Sequence, residues 1–148
     1  MSKQAAVFFR HIGICTSNLE HSLCFYTEAL GFSLVRSIDE LGAPFDTLLA
    51  LPGARFKAHQ VQLGEVTLEL LGFSNTDILG PAEPRPMNQL GITHLTLAVD
   101  DVEAALERVG KFGGKVHRET RVDSPFGPIV FCSDPDGVRI EVMQQASS

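Results

Sequence analysis

The sequence predicts an α+β fold made from one β-α-β-β-β unit used twice, and three observations carry that prediction. The chain overlaps itself when it is shifted first by 83 positions and then by 72. Each half reads as a strand, a capped helix and three further strands in the same order. A proline-rich segment separates the halves. Self-similarity at a fixed offset marks a duplicated structural unit, and it organises everything else in the chain.

The first strand of each half, residues 7–15 and 93–99, is rich in Val, Ile, Leu and Phe. A helix follows each. Ser17 with Glu20, and Asp100 with Glu103, have the spacing of N-terminal caps, in which a side-chain oxygen satisfies free backbone N–H groups. Leu19, Leu23, Tyr26 and Leu30 then recur at helical spacing, as do Val102, Leu106 and Val109. Gly31 and the Gly113–Gly114 pair end the helices. Strands are expected at residues 32–36, 57–63 and 66–71 in the first half, and at 115–119, 129–132 and 138–143 in the second. The 83-residue offset aligns His11 with His94, Glu20 with Glu103 and Gly31 with Gly114; the 72-residue offset aligns Val66-Thr67-Leu68-Glu69-Leu70 with Val138-Arg139-Ile140-Glu141-Val142. The second half is therefore shorter by 11 residues, and the missing length is expected around residues 37–55. The reading is one domain over residues 1–148, with modules 6–79 and 91–145 joined by a linker at 80–90 whose prolines cannot continue a helix or a central strand.

Composition narrows the function. Hydrophobic residues make up 44% and charged residues 20% of the 148, which suits a packed core. The formal net charge of −6, with no basic run, argues against nucleic-acid binding, since phosphate contacts need clustered Lys and Arg. No stretch of about 18 apolar residues is present, so no membrane span is expected, and the N-terminal residues do not read as a secretion signal. Cys15, Cys24 and Cys132 have no CxxC spacing; each is expected to be a small buried hydrophobe, and a reducing, cytoplasmic setting fits.

Each module carries a histidine on its first strand and a glutamate on its last: His11 and Glu69, His94 and Glu141. The glutamates stand inside strongly apolar strands. A buried carboxylate without a partner is costly, and a metal ion or a cation is the usual remedy. Two imidazoles and two carboxylates suit Ni, Zn, Co, Mn or Fe, balance a 2+ ion in formal charge, and leave an octahedral ion two open positions. A lone strand histidine is more often structural, and a lone strand glutamate more often solvated. Recurrence of both types at equivalent places in two repeats favours metal binding. His21 is expected on the surface, while His59 and His117 are unduplicated strand residues with packing or pocket roles.

The segments HIGICTSNLEHSLCFYTEALGF, VTLELL, GITHLTLAVDDVEAAL and FCSDPDGVRIEVMQ resemble the vicinal oxygen chelate superfamily, which includes glyoxalase I, methylmalonyl-CoA epimerase, extradiol dioxygenases and bleomycin resistance proteins. The resemblance covers nearly the whole chain. It implies a glyoxalase-like fold, two βαβββ modules whose curved, incompletely closed mixed sheets form a cleft around one divalent metal ion. The implied ligands are His11, Glu69, His94 and Glu141, similar to the set of bacterial glyoxalase I; no matching set of basic residues for glutathione is found. The activity implied is that of a metal-dependent lyase or isomerase working on a small oxygenated substrate through a metal-stabilised enediolate or enolate, with Glu141 as first candidate base and Glu69 as its partner. An extradiol-type ring-cleaving dioxygenase and a non-enzymatic drug-binding resistance protein are the alternatives. Relatives of this kind are often homodimers, some with a metal site shared across chains, and a homodimer is expected here; the sequence leaves open whether the four ligands meet in one chain or across two. Phe25 and Tyr26 read as core. Arg55, Lys57, Arg118 and Arg121 are available to an anionic substrate group, though solvation is their commoner fate, and residues 124–128 are expected to form a loop over the cleft.

Overall fold

A computed structural model describes residues 5–146. In chain order the elements are β1 (Ile12–Thr16), α1 (Leu19–Cys24), β2 (Ser33–Leu41), α2 (Phe45–Leu48), β3 (Phe56–Leu63), β4 (Val66–Phe73), β5 (Leu95–Val99), α3 (Val102–Lys111), β6 (Lys115–Ser124), β7 (Gly127–Ser133) and β8 (Arg139–Gln144). A wider π-helical turn, Phe25–Ala29, extends α1. The two mixed sheets have the same design. β1 lies parallel to β4 in the order β1-β4-β3-β2, and β5 parallel to β8 in the order β5-β8-β7-β6. The short α2 and its flanks, inserted between β2 and β3, supply the 11 extra residues of the first half. No helix among the described residues is long and apolar enough to cross a membrane.

One apolar core serves both modules. Val61, Leu68 and Leu70 of the first sheet and Val130, Ile140 and Val142 of the second belong to a single buried cluster with Phe25, Tyr26, Leu106 and Val109 of the helices. Strand alternation explains the sorting. Leu68 and Leu70 face the helices, so Glu69 between them faces the open side of its sheet, and Ile140 and Val142 do the same for Glu141. The turn after α3 packs so closely on the π-helical turn that a Cβ on Gly114 would lie 2.6 Å from the Phe25 ring. Across this junction the Tyr26 hydroxyl donates to Asp134 Oδ2 at 2.9 Å, fully buried, and Arg108 Nε donates to the Ala29 carbonyl.

Several boundaries differ from expectation. β1 begins at Ile12 and β5 at Leu95, so His11 and His94 stand at strand entrances. Val7, Phe8 and Phe9 are apolar but exposed, because the ladder with β4 starts only at the Ile12–Leu68 pair. The caps sit one residue later than predicted: Asn18 Oδ1 accepts from His21 N and Asp101 Oδ1 from Ala104 N, each at 3.0 Å. Ser17 is instead held by the Asp136 carboxylate of the other module. β2 and β6 are longer than their apolar pattern suggests; both are edge strands with bulges, where pairing needs no hydrophobic alternation. Residues 124–128 form the tight turn of the β6–β7 hairpin, closed by Ser124 Oγ donating to the Gly127 carbonyl, rather than a loop over a cleft. Of the cysteines only Cys132 is buried; Cys15 and Cys24 are exposed.

Candidate active site

The parallel pairing of β1 with β4 places Gly13 opposite Glu69, and that of β5 with β8 places Thr96 opposite Glu141. Each histidine at a strand entrance therefore reaches the glutamate of the neighbouring strand. His11 Nε2 lies 3.6 Å from Glu69 Oε1, and His94 Nε2 lies 4.0 Å from Glu141 Oε2. Two ligands about 2.1 Å from one ion at ordinary coordination angles stand roughly 3.0–3.6 Å apart. The first pair matches that spacing and the second is slightly wider, so each pair fits half of a coordination shell. The structure does not bring the two halves together: among the described residues, no group of three or more His, Cys, Asp or Glu is placed to hold an ion.

The surroundings of the pairs suit ligation. The Thr93 hydroxyl is 2.8 Å from His94 Nδ1, where it can accept the ring proton and leave Nε2 its lone pair. The Phe131 ring packs edge-on against the His94 ring, 5.4 Å between centroids. Gln60 Nε2 donates to Glu69 Oε2 at 2.7 Å, and Thr96 Oγ1 reaches Glu141 Oε1 at 3.4 Å. Cross-strand register, invisible in the sequence, brings Gln60 and Phe131 beside the two glutamates. Thr96 was accessible to sequence reasoning, since it shares a strand face with His94.

Two cavities lie on this side of the molecule, and of the two pairs only His94 lines either one. One, of about 710 Å³, lies between β1 and β5 beneath the linker and includes His94, Cys15, Arg85 and Arg139 in its lining. The other, of about 500 Å³, covers the open face of the second sheet, with His117, Phe131, Ser133 and Arg139. Both are of a size for small molecules. Burial and the nearby Asp134 push the Cys132 thiol up to about 12, which disfavours the thiolate form. The other candidates are held elsewhere. Arg55 pairs with Glu40, and Arg118 and Arg121 with Glu103. His21 is exposed, against the Phe112 carbonyl, and His59 bridges Ser37 and Glu20.

Residues 9–142 match the model of the Glyoxalase/Bleomycin resistance protein/Dioxygenase superfamily. The chain belongs to this superfamily. Among glyoxalase relatives, the lactoylglutathione lyase of Neisseria meningitidis is 34% identical, over 93% of this chain and 90% of its own length. A probable lactoylglutathione lyase of Synechocystis is 30% identical, over 95% of this chain and 98% of its own. A crystal structure of a glyoxalase family protein from Bacillus cereus superposes with a TM-score of 0.84 over 99% of both chains; at 16% identity it speaks to the fold.

Proposed function

We propose that this protein is a divalent-metal-dependent lyase or isomerase of glyoxalase type. The observation that carries the reading is the pair of His–Glu couples at equivalent places in two repeats, 3.6 and 4.0 Å across. The lyase names of relatives at 30–34% identity support it and do not favour ring cleavage or drug sequestration. His11, Glu69, His94 and Glu141 would hold the ion, which when bound supplies Lewis acidity to a carbonyl and a hydroxyl on adjacent carbons. Lactoylglutathione, the compound in the relatives' names, has such a vicinal pair. Glu141 removes the proton from the carbon next to the carbonyl, giving an enediolate. Glu69 or Glu141 then returns it to the neighbouring carbon, so the net change is an isomerisation.

The complete site forms between two copies of the chain, the His11–Glu69 pair of one with the His94–Glu141 pair of the other. The two pairs stay apart within a chain, and the segments leading into both histidines expose apolar surface that a partner would cover: Phe8 is 78% and Phe9 76% accessible, Leu90 95% and Ile92 68%. A symmetric dimer then carries two equivalent sites.

The test combines elemental analysis with complementation. The parent should hold about one equivalent of metal per chain. A His11→Ala/Glu69→Ala chain and a His94→Ala/Glu141→Ala chain should each hold none. Co-expressed, they should recover about a quarter of the parent's metal, since half of the dimers are mixed and each of those has one intact site. No recovery would place the site within one chain; no metal in the parent, after reloading with Ni, Co, Zn, Mn and Fe, would end the metalloenzyme reading.

A further inference from the structure

The two His–Glu pairs are supported in opposite ways. In the first module the carboxylate is anchored. Glu69 Oε2 accepts from Gln60 Nε2 at 2.7 Å, and the Glu69 side chain is 17% exposed. Gln60 stands directly across from Glu69 in the β3–β4 ladder, so the amide is delivered by register. The imidazole of His11 is 39% exposed. In the second module the imidazole is the anchored member, with Thr93 at Nδ1 and Phe131 against its ring. The residue across from Glu141 in the β7–β8 ladder is Phe131, which offers no donor. Among the described residues, the one side-chain hydrogen bond to Glu141 comes from the Thr96 hydroxyl, at 3.4 Å, and the Glu141 side chain is 25% exposed.

We infer that Gln60 is a positioning residue that presets Glu69 as a metal ligand, a support that Glu141 lacks. This rests on the metal site proposed above. The physical argument is one of preorganisation. A carboxylate held through one oxygen presents the other in a set direction, and its rotamer entropy is already lost before the ion arrives. In the structure Gln60 occupies Oε2, and the oxygen left over, Oε1, is the one that faces His11. Glu141, with one long hydrogen bond, has no comparable anchor.

The measurement is Co²⁺ affinity of the full chain, by competition with a chelating dye, together with the visible absorption of the bound cobalt. Gln60→Met keeps the side chain's length and removes the donor; Gln60→Glu keeps its size and polarity and sets a second carboxylate against Glu69. Thr96→Val removes the hydroxyl that hydrogen-bonds to Glu141. Loss of a group that orients a metal ligand costs about 10–100-fold in affinity. Both Gln60 variants should fall in that range with an altered cobalt spectrum, whereas Thr96→Val should change affinity by less than about threefold. Apo-protein melting should match the parent in Gln60→Met, which separates positioning from general destabilisation. If the parent binds Co²⁺ and the Gln60 variants bind it equally well, or if Thr96→Val loses as much as they do, the positioning role is wrong and the metal site stands. If the parent binds none, the metal site itself fails.

Discussion

The two modules share strand order, helix placement and a His–Glu couple, yet the material beneath the couples differs. The first module sets an amide beside its glutamate and leaves its histidine exposed; the second sets an aromatic ring beside its histidine and leaves its glutamate loosely held. The helices differ too. Tyr26 reaches across to Asp134, while its counterpart at the 83-residue offset, Val109, has no polar group to offer. Duplication can thus keep the placement of the His–Glu couples while the residues that support them diverge.

The comparison is broken most severely at the carboxylates. With metal loaded, Glu141→Gln should lower turnover by about 10²–10⁴-fold, the usual contribution of a general base. Glu69→Gln should cost clearly less turnover and more metal. Interconversion of lactoylglutathione with its isomeric hemithioacetal, followed by thioester absorbance beside elemental analysis, checks both; equal losses would erase the distinction between the modules.

Next is the helix junction. Tyr26→Phe strips a donor from a buried carboxylate and should destabilise by about 1–3 kcal/mol in urea unfolding. Asp134 is buried, and burial already raises its carboxyl above its ordinary value against the N–H groups of Val138 and Asp136 and the Tyr26 hydroxyl.

Alkaline stability sharpens the same contrast. Burial, and then the Asp134 charge, hold the Tyr26 phenol well above its ordinary value and push the Cys132 thiol from 9.0 to about 12. Both groups keep their protons in the folded chain at a pH where the unfolded chain has lost them. The unfolded state therefore binds fewer protons, and stability falls as pH rises from about 9 towards 12. Urea midpoints across that range should drop in the parent and drop less steeply in a Tyr26→Phe/Cys132→Ala chain.

The smallest effect is expected at the equivalent surface glutamates. Glu20 meets His59, and Glu103 meets Arg118 and Arg121. Replacing either by alanine should barely move the melting midpoint, since exposed pairs gain little over solvent.

The repeated strand order and the equivalent placement of the two His–Glu couples were legible in the sequence because they depend on local pattern: apolar alternation, helix spacing, glycine stops. What escaped depends on register and on neighbours distant in the chain. Gln60 is nine residues from Glu69, and only the β3–β4 ladder sets them opposite. Asn18 rather than Ser17 caps α1 because Ser17 is taken by Asp136, a competitor 119 residues away. Residues 7–11 read as strand from composition, but composition cannot supply the neighbouring strand they would need. The same holds for the separation of the two pairs, which follows from how the modules pack.

The buried junction between Tyr26, Asp134, Phe25 and Gly114 sets the unit of folding. Because both sheets lean on one shared cluster of side chains, neither repeat has a complete interior of its own. A gene cut at the linker would yield two fragments with raw apolar flanks, prone to aggregate when made separately and able to restore the native packing when made together. The intact chain should melt in one cooperative step despite its twofold ancestry, so the repeat visible in the sequence is a unit of inheritance, whereas the unit of stability is the whole.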